Sequence, residues 1–206
     1  MLLQRDLGVG LLHFGLRRGA RGGLGFRARL GLGFRLGRFG LGWAPDGFDT
    51  VTRALLDQKF SRDDLAAVGL TFTNRANRMQ DSFRARVMFP IFSENGEPVA
   101  FGGRILPGST DPAKYKNSSE TTIYAKSKTL YGLNWAKSAV VAADQIIVCE
   151  GYTDVIGFHR SGVPRAVATC GTALTEEHVR LMKRYASQVV LAFDADAAGQ
   201  GAAQKF

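Results

Sequence analysis

Three short apolar runs, each stopped by turn residues, constrain this chain more than anything else in it. Ile146-Ile147-Val148-Cys149 stops at Glu150-Gly151. Ala166-Val167-Ala168-Thr169-Cys170 stops at Gly171-Thr172. Val189-Val190-Leu191-Ala192-Phe193 stops at Asp194-Ala195-Asp196. Short, continuous, β-branched-rich runs bounded in this way predict strands buried on both faces. The intervening segments read as helices. In the second of them Thr175 is an N-cap with Glu176 and Glu177 in the first turn, and Leu174 and Val179 occupy the hydrophobic-staple positions. The order β-α-β-α-β implies an α/β fold with a parallel, Rossmann-like sheet and right-handed crossovers.

Open parallel sheets bind ligands beyond the carboxyl ends of their strands. Here the first strand ends in Glu150 and the third in Asp194 and Asp196. Carboxylates gathered at one sheet edge suit Mg²⁺ or Mn²⁺, which prefer oxygen ligands and leave room for water and phosphate. A lone D-x-D is weak evidence, because loop acids often just solvate a sheet edge. E-G at one strand end with D-x-D-x-x-G at another is a narrower pattern.

The 206 residues suffice for one large domain or two small ones, and the net charge of +9 favours a polyanionic partner. Most of that charge is local. Residues 1–38 hold eight arginines against one aspartate and are otherwise almost wholly Gly, Leu and Phe. Glycine at this density opposes helix and strand alike. This leader reads either as an arginine-glycine RNA-binding segment or as a frame-shifted stretch of a GC-rich gene, and it is expected to be disordered. The two cysteines, Cys149 and Cys170, fall inside expected core strands and read as small buried hydrophobes. No Cys/His cluster suggests zinc. No apolar stretch is long enough to cross a membrane, and arginines and glycines interrupt the N-terminal hydrophobes, so neither a membrane span nor a signal peptide is expected. The expected compartment is the cytoplasm.

Ahead of the sheet, residues 43–47 read as a turn and 48–56 as a short helix capped by Asp49 or Thr50. Ser61 opens a second helix that Gly69 ends. Residues 84–91 and 98–105 read as paired strands joined through Asn95-Gly96, a sequence that suits a type I′ turn. Gly102-Gly103 suggests a bulge or a close backbone approach. A helix is expected over 129–143. His159 and His178 lie in expected helices and read as structural.

E-G-Y-T-D-V (150–155), G-T-A-L-T (171–175) and D-A-D-A-A-G (194–199) resemble the toprim module of primases, topoisomerases, some nucleases and recombination proteins. L-G-W-A-P-D-G (41–47), R-V-M-F-P-I (86–91), N-G-E-P-V-A-F-G-G-R (95–104), K-Y-K-N-S-S-E-T (114–121) and L-Y-G-L (130–133) narrow this to the catalytic core of the bacterial DnaG-type primases. The likeness covers roughly 39–206. It implies an α+β subdomain over 39–143 and a partial toprim domain over 144–206. It also implies DNA-directed synthesis of short RNA primers from ribonucleoside triphosphates on a single-stranded DNA template. Glu150, Asp194 and Asp196 would then be the catalytic, Mg²⁺- or Mn²⁺-binding acids. Arg86, Arg104, Lys114, Tyr115, Asn117 and Lys126 would contact template and nucleotide.

Lys116 stands where the family usually has a small apolar residue, and Ser119 where it usually has Pro. The likeness further implies that the zinc-binding module, a later acidic motif, the last sheet strand, the helical subdomain and the helicase-contacting region lie outside this sequence. On that expectation a partial core primes poorly, and a replicative-helicase partner belongs to the full-length protein. Two other readings remain: a toprim nuclease or topoisomerase, which would need signatures such as an active-site tyrosine domain, and a nucleic-acid-binding scaffold without primase activity.

Overall fold

The computed structural model describes residues 39–193 together with the backbone of 15–18 and 24–27. The chain divides into two compact units. One comprises Met1–Pro90 and Pro98–Thr121, the other Ile91–Glu97 and Thr122–Phe206. The fold is α/β, with an antiparallel sheet in the first unit and a mainly parallel one in the second.

The first unit begins with a difference from expectation. Strands β1 (Gly15–Arg18) and β2 (Leu24–Arg27) pair antiparallel inside the glycine-rich leader, where neither helix nor strand was expected. Glycine weakens a strand but does not forbid one, because ladder bonds come from the backbone alone. Strand β3 (Gly42–Ala44) follows, then helices α1 (Thr50–Asp57) and α2 (Arg62–Ala67), the hairpin β4 (Thr71–Thr73) and β5 (Met79–Asp81), and strands β6 (Arg86–Phe92), β7 (Pro98–Ile105) and β8 (Tyr115–Asn117). The main sheet has the order β3-β6-β7-β8. Ser61 caps α2 as its sequence implies, accepting the Asp64 N–H at 3.0 Å, and Gly69 takes the left-handed conformation just beyond the helix.

Helix α1 is capped differently. Asp49 is its N-cap residue, but the Asp49 side chain turns to Arg53. The orphan N–H groups of Val51 and Thr52 donate instead to the carboxylate of Asp81, each at 2.8 Å, and the Thr52 hydroxyl donates to it at 2.6 Å. Asp81 is buried at the end of β5, so one acid thirty residues away ties the helix to the hairpin.

The turn between β6 and β7 is not type I′. Gly96 has φ +81°, but Asn95 is not among the residues with positive φ. The Ser93 hydroxyl accepts the N–H groups of Asn95 and Glu97, which favours a type I turn closed by a left-handed glycine. In the second unit Tyr185 donates to Glu94 at 2.7 Å and Arg184 pairs with it at 3.0 Å. These contacts, the Tyr185 hydrogen bond first, hold the Glu94 carboxyl below the usual carboxylate range.

The rest of the second unit is β9 (Leu130–Tyr131), α3 (Leu133–Ala143), β10 (Gln145–Cys149), α4 (Tyr152–Arg160), β11 (Ala166–Thr169), α5 (Glu176–Met182) and β12 (Gln188–Ala192). The helix expected over 129–143 is thus shorter. Leu130 and Tyr131 pair with β11, and Gly132 then turns the chain with φ +87°. A side chain at Gly132 would lie 2.9 Å from Val155, so only glycine fits.

The sheet order is β12-β10-β11-β9, with β10 parallel to both β11 and β12 and β9 antiparallel at the edge. Leu130, Leu133, Ala136, Val140, Ile146, Val148, Val167 and Met182 form one apolar core around α3 and α5. The first two runs are buried as expected. The third is not: Val189 and Val190 are 43% and 40% exposed. Among the described residues strand β12 has a ladder partner on one side only, so its apolar composition does not bring the burial that β10 enjoys between two neighbours. Among the described residues no helix is long and apolar enough to cross a membrane.

The Asp81 cap makes a direct prediction. Asp81→Ala should lower stability by about 2–3 kcal/mol, because it strands two helix N–H groups and a buried hydroxyl. Asp49→Ala, which removes only an exposed pair, should change stability far less. Thermal and urea unfolding of the two variants would check this.

Candidate nucleic-acid and nucleotide site

The pairing register decides which candidate residues share a surface. In the first unit Gly102 pairs with Asn117, Gly103 with Lys116, and Arg104 with Tyr115. Side chains alternate across a strand, so Arg104, Tyr115 and Asn117 lie on one face and Lys116 on the other. The Arg104 guanidinium lies 5.4 Å from the centre of the Tyr115 ring, a cation–π contact on an exposed aromatic. Lys114 is exposed at the head of β8, where its carbonyl accepts the Ile105 N–H.

Arg86 occupies the opposite face. A Cβ at Gly103 would come within 3.0 Å of the Arg86 side chain and 2.9 Å of Phe83, so the missing side chain is what lets Arg86 cross β7. This is the close approach that Gly102-Gly103 implied. Arg86 is 2% exposed. It donates to Ala113 O at 2.9 Å and Asp111 Oδ2 at 2.6 Å, with a longer bond to Gly103 O at 3.4 Å. The Ala113 N–H, then the Arg86 guanidinium, hold the Asp111 carboxyl below its usual range. A guanidinium committed in this way braces the loop before β8. Nothing in the sequence announced Asp111 as its partner.

Lys116 lies 5.8 Å from both the Phe72 and Phe83 rings. Partial burial, then the Arg86 charge, lowers its pKa. Arg84, Arg86 and Lys116 line a polar cavity of about 500 Å³, but Asp46, Asp81 and Asp111 line it too. Its charges are therefore balanced.

In the second unit Glu150 is the first residue after β10 and is exposed. Cys149 is level with Ala168 of β11 and with Ala192 of β12. The carboxyl ends of all three parallel strands therefore come level beside Glu150. Asp194 and Asp196 follow β12 but lie outside the described residues. Gly151 caps α4, and its N–H donates to the Asp154 carboxylate at 2.9 Å. That bond gives Asp154 a structural task.

Lys126 reaches this same edge by a different path. Thr169 pairs with Leu130, so the residues just before β9 lie beyond the carboxyl end of β11. They form a single 3₁₀ turn, Lys126–Lys128. The Cys170 thiol, just past β11, is pushed up to about 11 mainly by burial. Burial likewise pushes the Cys149 thiol up, to about 12, so both cysteines are inert core residues as their sequence positions suggest.

His159 and His178 are both structural. His159 Nε2 lies 3.2 Å from Ala166 O. His178 is fully buried and bonded to the 3₁₀ turn, and burial holds it below the usual imidazole range.

Residues 34–137 match the family model for the N-terminal domain of the DNA primase catalytic core. The chain belongs to the DNA primase catalytic-core family. Residues 144–206 match the toprim domain model. The primase core is 42% identical over 176 residues to the DNA primase of Mycobacterium leprae, which covers 81% of this chain and 27% of that protein. It is 45% identical over 163 residues to the DNA primase of Deinococcus radiodurans, covering 78% and 28%. Among solved structures it resembles the RNA polymerase domain of Mycobacterium tuberculosis primase DnaG, with TM-score 0.76 and 38% identity over 82% of this chain and 57% of that one. It also resembles a DnaG primase catalytic domain bound to single-stranded DNA, with TM-score 0.75 and 39% identity over 82% and 52%. The chain spans about a quarter of the length of the curated relatives it matches.

The opposite placement of the two arginines gives a testable contrast. Arg86→Ala should lower the Tm by about 5 °C or more, since it strands two backbone carbonyls and empties a buried space. Arg104→Ala should leave the Tm nearly unchanged. Differential scanning calorimetry of both variants would check it.

Proposed function

We propose that this chain is a partial catalytic core for DNA-directed synthesis of short RNA primers from ribonucleoside triphosphates on single-stranded DNA. The observation that carries the reading is the edge of the second sheet. Glu150 stands at the carboxyl end of β10, level with the end of β12 and at the same edge as the Lys126 turn. Acids beside a movable cation are what phosphoryl transfer needs, because that reaction depends on positioning and charge neutralisation rather than covalent help. Its membership in the primase-core family supports the same chemistry.

In this reading Glu150, Asp194 and Asp196 hold Mg²⁺ or Mn²⁺. Carboxylates are suitable ligands, and exposure leaves Glu150 accessible to a hydrated ion. A bound divalent ion would supply activation of the attacking 3′-hydroxyl and neutralisation of the leaving pyrophosphate. Lys126 takes a nucleotide phosphate as a point charge. On the first unit, Arg104, Tyr115 and Asn117 form the template face, where the guanidinium meets backbone phosphate and the exposed ring offers a stacking surface. Lys114 adds charge at its rim. Arg86 shapes that strand pair from behind rather than touching the template. The reaction belongs to replication in the cytoplasm, and contact with the replicative helicase belongs to the longer protein.

The test has two arms. Label incorporation from ribonucleotides on a single-stranded template should fall about a hundredfold or more in Glu150→Gln, together with loss of Mn²⁺-induced paramagnetic broadening at the sheet edge. Arg104→Ala should weaken single-stranded DNA binding and reduce the slope of log affinity against log salt by about one. Broadening that persists in both Glu150→Gln and Asp194→Asn would refute the metal assignment. Binding that depends only on residues 1–38 would refute the template face.

A further inference from the structure

Lys126 rides on a three-residue 3₁₀ turn, an element with little stability of its own. The carbonyls of such a turn need partners, and three of those around Lys126 find them on α5. The Thr175 hydroxyl donates to Ser127 O at 2.7 Å. His178 Nε2 lies 2.9 Å from Lys126 O and 3.2 Å from Thr129 O. The tautomer follows from the other ring nitrogen. His178 Nδ1 accepts the Thr175 N–H at 3.2 Å, so Nε2 carries the proton and donates it to the turn. The His178 N–H closes the motif by donating back to the Thr175 hydroxyl at 3.3 Å. The result is a capping box with histidine in the place usual for Glu or Gln.

A helix start needs no imidazole for this purpose, since a carboxamide at that position would satisfy the Thr175 N–H. What the imidazole adds is reach. Its far nitrogen leaves the helix and binds the carbonyl of the lysine at the sheet edge, 52 residues earlier in the chain. A lysine has four rotatable bonds, so its charge works at a defined point only if its Cα is held still.

We propose that His178, with Thr175, is a positioning residue for Lys126: the pair fixes the 3₁₀ turn so that the ammonium meets a nucleoside triphosphate at the carboxyl edge of the sheet. This rests on the reading of Lys126 as a phosphate contact. His178 touches no substrate and acts only through the backbone of residues 126–129.

The test is binding of fluorescent ATP with Mg²⁺ to the whole 206-residue chain, with circular dichroism as a check on folding. Lys126→Ala should weaken binding about tenfold. His178→Ala should weaken it severalfold, and so should His178→Gln, whose amide satisfies the Thr175 N–H but does not reach the Lys126 carbonyl as the imidazole does. The double variant Lys126→Ala/His178→Ala should bind no more weakly than Lys126→Ala alone. Thr175→Val, which removes the bond to Ser127 and the acceptor of the His178 N–H, should also weaken binding, and it serves if His178→Ala does not fold. An additive double variant, or normal ATP binding in both His178→Ala and Thr175→Val while Lys126→Ala binds poorly, would overturn the positioning role. Normal binding by Lys126→Ala would instead overturn the reading of Lys126 itself, and the proposal with it.

Discussion

Strand β10 must satisfy its backbone on both sides, and the geometry of the second unit follows from that requirement. Its N–H and C=O groups pair in parallel with β11 on one side and β12 on the other. Parallel pairing forces each connection to return across the sheet, so α4 and α5 serve as crossovers. It also brings every carboxyl end to one edge. Glu150 is therefore where it is because β10 ends there, and the strand ends there because Gly151 opens α4. The short antiparallel strand β9 then delivers the Lys126 turn to that edge from the opposite direction.

The first unit depends on a different device, a long buried side chain crossing a strand that lacks a side chain to block it. Gly103 makes room, Arg86 passes, and its guanidinium collects two backbone carbonyls and the Asp111 carboxylate. This fixes the loop that precedes β8, and β8 in turn sets Tyr115 against Arg104. A cation on the hidden face thus organises an exposed cation–aromatic pair on the other. Asp81 plays a similar part for α1, standing in for a local cap whose side chain is engaged elsewhere. Both devices put a charged group where desolvation would be costly unless hydrogen bonds compensated it.

The amino-acid sequence by itself determined the βαβαβ order, the ends of β10 and β11, the caps at Ser61 and Thr175, and the inert burial of both cysteines. These are local matters. Apolar runs, turn residues and cap residues act over a few positions, so they can be read without knowing what lies across the fold. The candidate acid at Glu150 was legible for the same reason, since a strand end is a local event. Only the tertiary structure decided the rest. It placed Arg86 and Arg104 on opposite faces although both look alike as basic strand residues, because register fixes which face a residue takes. It exposed Val189 and Val190 despite their composition, because burial depends on neighbours that periodicity does not name. It cut the expected helix at 129–143 short, because Leu130 and Tyr131 found a ladder partner in β11. And it joined Lys126 to His178 across 52 residues, a hydrogen bond whose two ends carry no mark of each other in the chain.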